Sequence, residues 1–304
     1  MDKKNILIIK EDNNDFEKFY NDHIIECGVD VATPDQFRLR TGNKLKKIIN
    51  LIKSFFAFNG NVDLKKYDLI IIFEDAKIIP IVYRHKKRTA KIILWNWNIK
   101  TNIQANEEKR YEKLCEIWTF DKNDAQKYKW RLNSQFYFDL KLSPVIKGEN
   151  KSAFLACVDK GRYQIAKEIR NVLTGMGIEC NFWLVKQENN KYEKDDEEWI
   201  KDSSLSYSIF LKNVQNSDII IDLVQKGQSG ITVRILEAII AGKKIITNNV
   251  SIRGNELFDK KNMYIWEDKG DKADLYQFLN DNKCEYDVSV VEKYLFDSWI
   301  ENFY

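Results

Sequence analysis

The sequence has few of the residues that mark linkers, metal centres and charge-driven binding. Its 304 residues include only 3 prolines, 12 glycines and 2 histidines, so we expect no long flexible linker. The 5 cysteines are odd in number and none is spaced as C-x-x-C, which favours buried free thiols in a reducing compartment over a zinc or redox site. The formal charge of +3 is nearly neutral, which argues against a dedicated nucleic-acid binder.

Long apolar stretches are also missing. No run approaches the ~18–20 consecutive apolar residues that a membrane-spanning helix needs. The chain passes from Met1-Asp-Lys-Lys directly into an apolar strand, without the apolar core and small-residue cleavage site of a signal peptide. The sequence therefore predicts a soluble, cytoplasmic protein.

The first half of the sequence alternates short apolar runs with helix-period segments. Runs rich in β-branched residues, separated by amphipathic segments, are typical of a parallel sheet covered on both faces. The predicted strands are Asn5–Lys10, Val29–Thr33, Tyr67–Phe73, Lys91–Trp95, Glu116–Phe120 and Gln135–Phe138. Helices are predicted at Phe16–Cys27, Lys77–Lys86 and Asn106–Lys113. This half is expected to form one α/β unit.

The same pattern begins again after a polar stretch near Lys147–Lys151. The predicted strands are Ala153–Val158, Cys180–Val185, Asp218–Leu223, Lys244–Thr247 and Met263–Trp266, and Asn189–Asp202 is predicted to be an exposed loop. We therefore predict an α/β protein of two doubly wound, Rossmann-like domains, residues 1–148 and 149–286, facing each other across a cleft. A helix at Val288–Phe303, within residues 287–304, is left over after the second sheet.

The segment Asp222–Gly242 carries the most chemical content. A strand ends, a loop containing Gly227, Ser229 and Gly230 follows, and a helix then begins. Small residues let the backbone approach a ligand, and the free N–H groups and dipole of the helix favour an anion such as phosphate. Glu237 lies farther along the helix, where its carboxylate is placed to accept hydrogen bonds from ribose hydroxyls. The alternative, which spacing alone leaves open, is an N-capped core helix with Glu237 on the solvated surface.

This segment and the following Lys243-Lys-Ile-Ile-Thr-Asn-Asn249 resemble the donor-binding segment of bacterial GT-B glycosyltransferases. Members of that family build capsule, lipopolysaccharide and other surface glycans. Their Gly-rich loop precedes a helix bearing Glu-Ala and a strand with a K-x-I/V-I-T core. Many retaining members carry a pair of glutamates at a fixed spacing. Glu237 matches the second of these and Ser229 stands in place of the first, so the stereochemical outcome stays open.

The turn Asp159-Lys-Gly-Arg162 is a second match to the family. The equivalent loop contributes cationic side chains to the donor diphosphate, and arginine and lysine both suit phosphate oxygens. The alternative is an ordinary exposed β–α turn. The resemblance implies that the donor-binding residues are Lys160, Arg162, Gly227, Ser229, Gly230, Thr232 and Glu237. It also implies that the C-terminal helix packs back on the N-terminal domain.

The activity that the resemblance implies is transfer of a sugar from a UDP- or GDP-linked donor to a glycan or lipid-linked acceptor. No metal or other cofactor is expected, because cationic side chains and a helix N-terminus would stabilise the departing diphosphate. The acidic run Asp195–Glu198 is interpreted as solvated surface rather than a D-x-D metal motif. The acceptor hydroxyl must lose a proton. Four acidic residues follow predicted strands and are candidates for the base: Glu11, Asp12, Glu74 and Asp75. Of these we favour Asp12 and Glu74.

Two further features have open interpretations. Residues Arg38–Lys53 contain six basic and no acidic side chains, interleaved with apolar ones. This segment is either a helix that lies on an anionic membrane surface, at the inner face of the membrane, or a core-facing helix with solvated lysines. Trp95 ends a predicted strand and Trp97 follows it. At this position a tryptophan either stacks on an acceptor sugar or fills the core.

Three other functions compete with the glycosyltransferase interpretation. A nucleotide-sugar epimerase of GT-B architecture needs several acids and histidines in its cleft, and two histidines make it less favoured. A receiver-like signalling module would explain Glu11 and Asp12, but the third strand runs into Phe73-Glu-Asp75 rather than a single phospho-accepting Asp. A dinucleotide-dependent oxidoreductase is disfavoured because the first β–α turn, Lys10–Asn14, has no glycine to admit a pyrophosphate.

Overall fold

The computed structural model describes residues 3–37, 62–140, 151–188, 190–267, 272–281 and 283–304. The chain divides into two compact units. The described residues up to Ser134 form the first unit together with Ile300–Tyr304, and Gln135–Trp299 form the second. The predicted domain boundary near residue 148 lies outside the described residues. The basic segment 38–58 also lies outside them.

The first unit is built on a parallel sheet of six strands in the order β2-β1-β3-β4-β5-β6. These strands are β1 (Ile6–Ile9), β2 (Asp30–Ala32), β3 (Leu69–Phe73), β4 (Lys91–Asn96), β5 (Glu116–Thr119) and β6 (Arg131–Leu132). Every residue of β1 and β3 is buried, as expected for central strands with helices on both faces. The order reverses between β1 and β3, so their carboxyl ends form the switch point of this sheet.

The helices of the first unit begin at capping residues that the sequence supplies. They are α1 (Asp15–Glu26), α2 (Ile79–His85), α3 (Asn102–Lys109) and α4 (Lys122–Tyr128). Asn14 caps α1, and Asp121 accepts two backbone N–H groups of α4. The helix predicted at 106–113 starts earlier, because Thr101 and Gln104 form a capping box, the signature of a helix N-terminus.

The second unit has a parallel sheet in the order β12-β11-β10-β7-β8-β9. Its strands are β7 (Ser152–Val158), β8 (Glu179–Val185), β9 (Ile200–Lys201), β10 (Ile219–Asp222), β11 (Lys244–Thr247) and β12 (Met263–Ile265). Counted from the start of the unit, the order is that of the dinucleotide-binding Rossmann sheet. It reverses between β7 and β10, which pair directly. Ligands of such sheets bind outside the carboxyl ends of the strands at this switch point.

The helices of the second unit are α5 (Tyr163–Gly175), α6 (Tyr207–Asn216), α7 (Val233–Ile240), α8 (Lys272–Asn280), α9 (Val288–Val291) and α10 (Phe296–Glu301). The last of these runs on into residues of the first unit. Helix α7 is buried over Ile235–Ile239, since its apolar side chains recur on almost every position. The two predicted Rossmann-like sheets are therefore confirmed.

Three predicted elements are wrong in detail. The exposed loop predicted at 189–202 contains the buried Trp199 and the short strand β9, because Ile200 and Lys201 pair with the end of β8. The strand predicted at 135–138 does not form, because only Tyr137 finds a partner there, in an isolated bridge with Leu295. The continuous helix predicted over 288–303 is broken into α9, a 3-10 turn at Glu292–Tyr294 and α10. The break follows from the same bridge, since Leu295 adopts an extended conformation that a helix cannot contain.

The C-terminal residues pack on the first unit, as the resemblance implies. The Phe303 ring lies edge-on to Trp118, with centroids 4.9 Å apart, and also contacts Trp95. Lys91 Nζ donates to the Phe303 carbonyl oxygen at 2.9 Å. Phe303 and Trp95 are both fully buried, so for Trp95 the core interpretation is confirmed.

The five cysteines are free thiols, of which Cys115 is buried, as expected, and the other four are half-buried. Within the described ranges, no helix combines the length and apolar character needed to cross a membrane.

Candidate functional site

The turn after β7 is held by Arg162 at the switch point of the second sheet. Its Nε donates to the Asp159 carbonyl oxygen at 3.0 Å and its Nη1 to that of Leu223 at 2.6 Å, and its Nη2 donates to the Val158 carbonyl oxygen. These carbonyls belong to the ends of β7 and β10. The predicted phosphate ligand therefore uses three guanidinium N–H groups to tie the two strand ends together.

Asp159 is the second fixed point of this turn and is almost fully buried. Its Oδ1 accepts the backbone N–H groups of Arg162 and Tyr163, both at 2.8 Å, and its Oδ2 accepts the hydroxyl of Tyr192 at 2.8 Å and the amide of Asn190. Burial acts to raise the pKa of Asp159, but these hydrogen bonds together hold the pKa below its ordinary value. A carboxylate so fully engaged stabilises the fold.

Asp159→Ala is expected to lower the free energy of unfolding by about 2–4 kcal/mol at pH 7, because a helix cap is lost and buried donors lose their acceptor. Since the folded-state pKa of Asp159 is lowered, its contribution is present above the unfolded pKa and disappears as pH falls through the folded pKa. Urea unfolding across acidic and neutral pH measures this. Exposed Asp195→Ala is the matched control, and equal effects of the two variants would contradict the assignment.

The Gly-rich loop after β10 is tethered from β11. Asn248 Oδ1 accepts the Val224 N–H at 2.7 Å, and the Asn249 side-chain amide donates to the carbonyl oxygens of Ser229 and Gly230 at 3.4 and 3.2 Å. Gly227 has φ +90°, a conformation that favours glycine. The predicted loop is thus held at the carboxyl ends of β10 and β11, next to the switch point.

Helix α7 begins beside a buried carboxyl group at the end of β10. Thr232 accepts the Ile235 N–H and donates to Asp222 Oδ1 at 2.8 Å. Asp222 also accepts the Thr247 hydroxyl at 3.2 Å. Burial raises the pKa of Asp222. Thr232, which the resemblance assigns to donor binding, is thus placed as the cap of the helix that follows the loop.

Glu237 is buried, in contrast to the solvated position that the alternative interpretation gave it. The Tyr207 hydroxyl donates to Glu237 Oε1 at 2.7 Å, and the Tyr137 hydroxyl lies 2.8 Å from that of Tyr207. Burial raises the pKa of Glu237 to about 7. The carboxyl group is therefore part of a buried hydrogen-bonded chain and changes its charge near neutral pH.

Lys160 is the predicted phosphate ligand with the most accessible side chain. It is exposed and has φ +42°, next to Gly161 with φ +81°. Two successive residues in the left-handed region turn the chain sharply after β7. The Lys160 amine is thus carried on a tight loop at the same end of the sheet as the Gly-rich loop.

The acidic run 195–198 differs from its predicted role as solvated surface. Asp195, Glu197 and Glu198 are exposed, but Asp196 is buried and accepts the Tyr163 hydroxyl at 2.6 Å. It also forms a 2.9 Å ion pair with Lys167. In the part of the chain that the structure describes, no group of three or more His, Cys, Asp or Glu side chains is placed to hold a metal ion.

The carboxyl ends of β1 and β3 carry the predicted bases of the first unit. Asp12 is exposed in the loop after β1. Glu74, at φ +63°, accepts the backbone N–H groups of Trp97 and Asn98 at 2.8 Å and the Lys100 ammonium. These contacts favour a structural role for Glu74, since its lone pairs are engaged, whereas Asp12 keeps its carboxylate in an accessible loop.

Lys10, at the end of β1, is a functional candidate that the sequence analysis does not single out. Lys10 is only 2% exposed. Its Nζ lies 5.1 Å from the centroid of the Trp97 ring and 5.9 Å from the centroid of the Tyr20 ring. Burial lowers the pKa of Lys10 to about 8. The only sequence signal is its place as the last residue of NILIIK.

Comparison with known proteins bears on the fold. No protein-family model matches the sequence, and no curated protein sequence matches it significantly. An α-glucosyltransferase, solved with UDP and a 13-mer DNA with a central A:G mismatch, has a TM-score of 0.56 at 11% identity, over 98% of this chain and 94% of that one. Sucrose-phosphate synthase from Thermosynechococcus elongatus has a TM-score of 0.56 at 9% identity, over 98% of this chain and 96% of that one. A glycosyltransferase from Rickettsia africae ESF-5 has a TM-score of 0.53 at 12% identity, over 98% of this chain and 96% of that one.

The chain has the GT-B fold. These three structures match along nearly the whole chain at 12% identity or less, which shows the fold alone. Within the GT-B fold, the segment that the sequence assigns to the donor lies in the second Rossmann-like unit, at the reversal of strand order.

Proposed function

We propose that this protein transfers a sugar from a nucleoside-diphosphate sugar to a glycan or lipid-linked acceptor. The observation that carries the proposal is the position of the Gly-rich loop. It follows β10 at the point where the strand order of the second sheet reverses, which is where ligands of such sheets bind. The glycosyltransferase-like fold supports the same activity.

The donor is proposed to bind along the carboxyl ends of β7 and β10. The loop Gly227–Gly230 lets the donor diphosphate approach the backbone, and Thr232 fixes the start of the following helix. Lys160 contributes a mobile positive charge from the neighbouring turn, suited to phosphate oxygens. Glu237 is proposed to select the ribose, since a carboxyl group near its pKa can both accept and donate a hydrogen bond.

The chemistry follows from where charge develops. When the bond between the anomeric carbon and the diphosphate oxygen breaks, negative charge accumulates on the diphosphate. Positive side chains and backbone N–H groups already in place stabilise that charge. The acceptor oxygen forms the new bond to the anomeric carbon and loses its proton to a base, for which we propose Asp12. We also propose that no metal is required.

The finer assignment concerns the donor and the pathway. UDP is present in one structural neighbour, so UDP-linked sugars are the first donors to test here, followed by GDP-linked ones. The resemblance of the donor segment to enzymes of capsule and lipopolysaccharide synthesis leads us to propose a surface-glycan acceptor. Contact with a membrane through residues 38–58 stays a prediction.

Product analysis tests the proposed activity. The protein is incubated with each UDP- or GDP-linked sugar in EDTA, without acceptor and then with lipid-linked saccharides, and the products are separated by chromatography. We expect slow release of nucleoside diphosphate without acceptor and faster release with a suitable one. An epimeric sugar nucleotide would instead identify an epimerase. Turnover only after adding Mg²⁺ or Mn²⁺ would contradict the metal-independent mechanism.

A further inference from the structure

Arg234 is an arginine on the first turn of α7 that neither the motif nor the resemblance assigns. Its guanidinium carbon lies 5.3 Å from the centroid of the Phe210 ring in α6. Arginine stacked on an aromatic face keeps its N–H donors in the plane of the fork, free to bind an anion. Phe210 itself is buried and stacks on Tyr207, with centroids 5.7 Å apart and planes 10° apart. The platform under Arg234 is therefore rigid.

Arg234 lies near the buried carboxyl groups of Asp222 and Glu237 but forms no direct ion pair with either of them. Its Nε is buried and meets no hydrogen-bond acceptor among the residues that the structure describes, and none of them forms a salt bridge with it. A partly desolvated cation without a partner is costly. The side chain is thus in the state that binding of an anion would relieve.

Arg234 lies near the ends of both strands at the switch point. Burial raises the pKa of Cys157 in β7 and of Asp222 in β10, and the charge of Arg234 acts against both rises. The charge of Arg234 also acts against the rise in the pKa of Glu237. The guanidinium group therefore lies close to the ends of β7 and β10, where the donor diphosphate is proposed to bind.

Arg162, by contrast, donates to the carbonyl oxygens of Asp159, Leu223 and Val158. An arginine that binds phosphate through its fork presents parallel N–H groups to the ligand, and these contacts already engage one N–H group on every nitrogen of Arg162. We infer that Arg234, and not Arg162, is the arginine that binds the diphosphate of the nucleotide donor. This inference rests on the proposed function, because it names a residue of the same donor site.

The test compares a nucleoside diphosphate with its nucleoside. Calorimetry measures the affinity of the intact wild-type protein and of Arg234→Met for whichever of UDP, GDP or dTDP binds, and for the matching nucleoside. Charge-assisted hydrogen bonds predict that Arg234→Met weakens diphosphate binding about 10–100-fold and leaves nucleoside binding within about twofold. Arg234→Lys keeps the charge and loses the fork, so its affinity for the diphosphate is expected to lie between those of the wild-type protein and Arg234→Met.

Surface Arg253→Met is the matched control, since this side chain is 57% exposed and pairs with Glu267. A thermal melt confirms that each variant is folded. If Arg234→Met binds the diphosphate as tightly as wild type, or loses diphosphate and nucleoside equally, the inference is overturned. Failure of the wild-type protein to bind any nucleoside diphosphate would instead overturn the proposed function on which it rests.

Discussion

Lys100→Met is expected to destabilise the protein by about 3–5 kcal/mol at pH 8, because it removes the cation that pairs with two carboxylates in a largely buried cluster. The Lys100 side chain is 4% exposed and lies 3.0 Å from Glu108 Oε1, whose own side chain is 6% exposed. Glu74 forms the second ion pair, and Asn96 donates to Glu108 at 2.7 Å. Without Lys100, two carboxyl groups would share this pocket without a counter-charge.

The expected loss depends on pH in a definite direction. Burial raises the pKa of Glu108, and Lys100 acts against that rise. Removing the lysine raises the pKa of Glu108 further, so the carboxyl group of the folded variant is protonated to a greater extent at pH 5 than at pH 8, and the penalty is smaller at pH 5. Urea unfolding at both pH values measures the difference. Exposed Lys109→Met, next to Glu108 on α3, is the control, and a Lys100→Met effect that is small or independent of pH would contradict this account.

Glu237→Gln is expected to stabilise the protein at pH 8 by about 3 kcal/mol, the free energy that corresponds to a shift from the ordinary carboxyl pKa of 4.5 to about 7. The folded state keeps Glu237 neutral up to about pH 7, whereas the unfolded chain releases the proton near 4.5. Wild-type stability therefore falls as pH rises between these values, and the full penalty persists above pH 7. Glutamine cannot ionise and still accepts the Tyr207 hydrogen bond.

The measurement is the free energy of unfolding of both proteins at several pH values from 4 to 9, by urea titration. The two curves should meet at pH 4, diverge as pH rises from 4.5 to about 7, and stay apart above pH 7. Glu168→Gln, exposed on α5, should show no such separation, and equal curves for Glu237→Gln and wild type would refute the buried ionisation. If Glu237 also binds the donor, the stabilised variant should bind nucleotide more weakly, a trade-off that is common at functional sites.

The sheets could be predicted from the sequence because their strands are nearly continuous β-branched runs. Tyr67–Phe73 and Lys244–Thr247 are strong signals of this kind, and the central strands stand close to where they are predicted. β9, Ile200–Lys201, has only two residues inside a polar stretch and gives no such signal. The break at Leu295 was not foreseeable either, because no Gly or Pro marks it and its cause is pairing with Tyr137, far away in sequence.

The candidate site could be predicted in outline and not in its contacts. The Gly-rich loop and the cap at Thr232 follow from local sequence, since a strand, small residues and a capping threonine are adjacent in the chain. The burial of Glu237 depends on Tyr207, 30 residues away. The engagement of Arg162 depends in the same way on the end of β10. Such contacts are set by how strands are ordered in the sheet, which the spacing of residues along the chain does not encode.

The most direct test of the central claim, a nucleotide-sugar donor site in this protein, is calorimetric binding of UDP, GDP, dTDP and CMP to the whole chain, with and without EDTA. The account predicts that one nucleoside diphosphate binds tightly, that EDTA leaves its affinity unchanged, and that Glu237→Ala loses binding while remaining folded. Absence of binding to all four nucleotides would contradict the account and leave the match of the donor segment as a property of the fold alone.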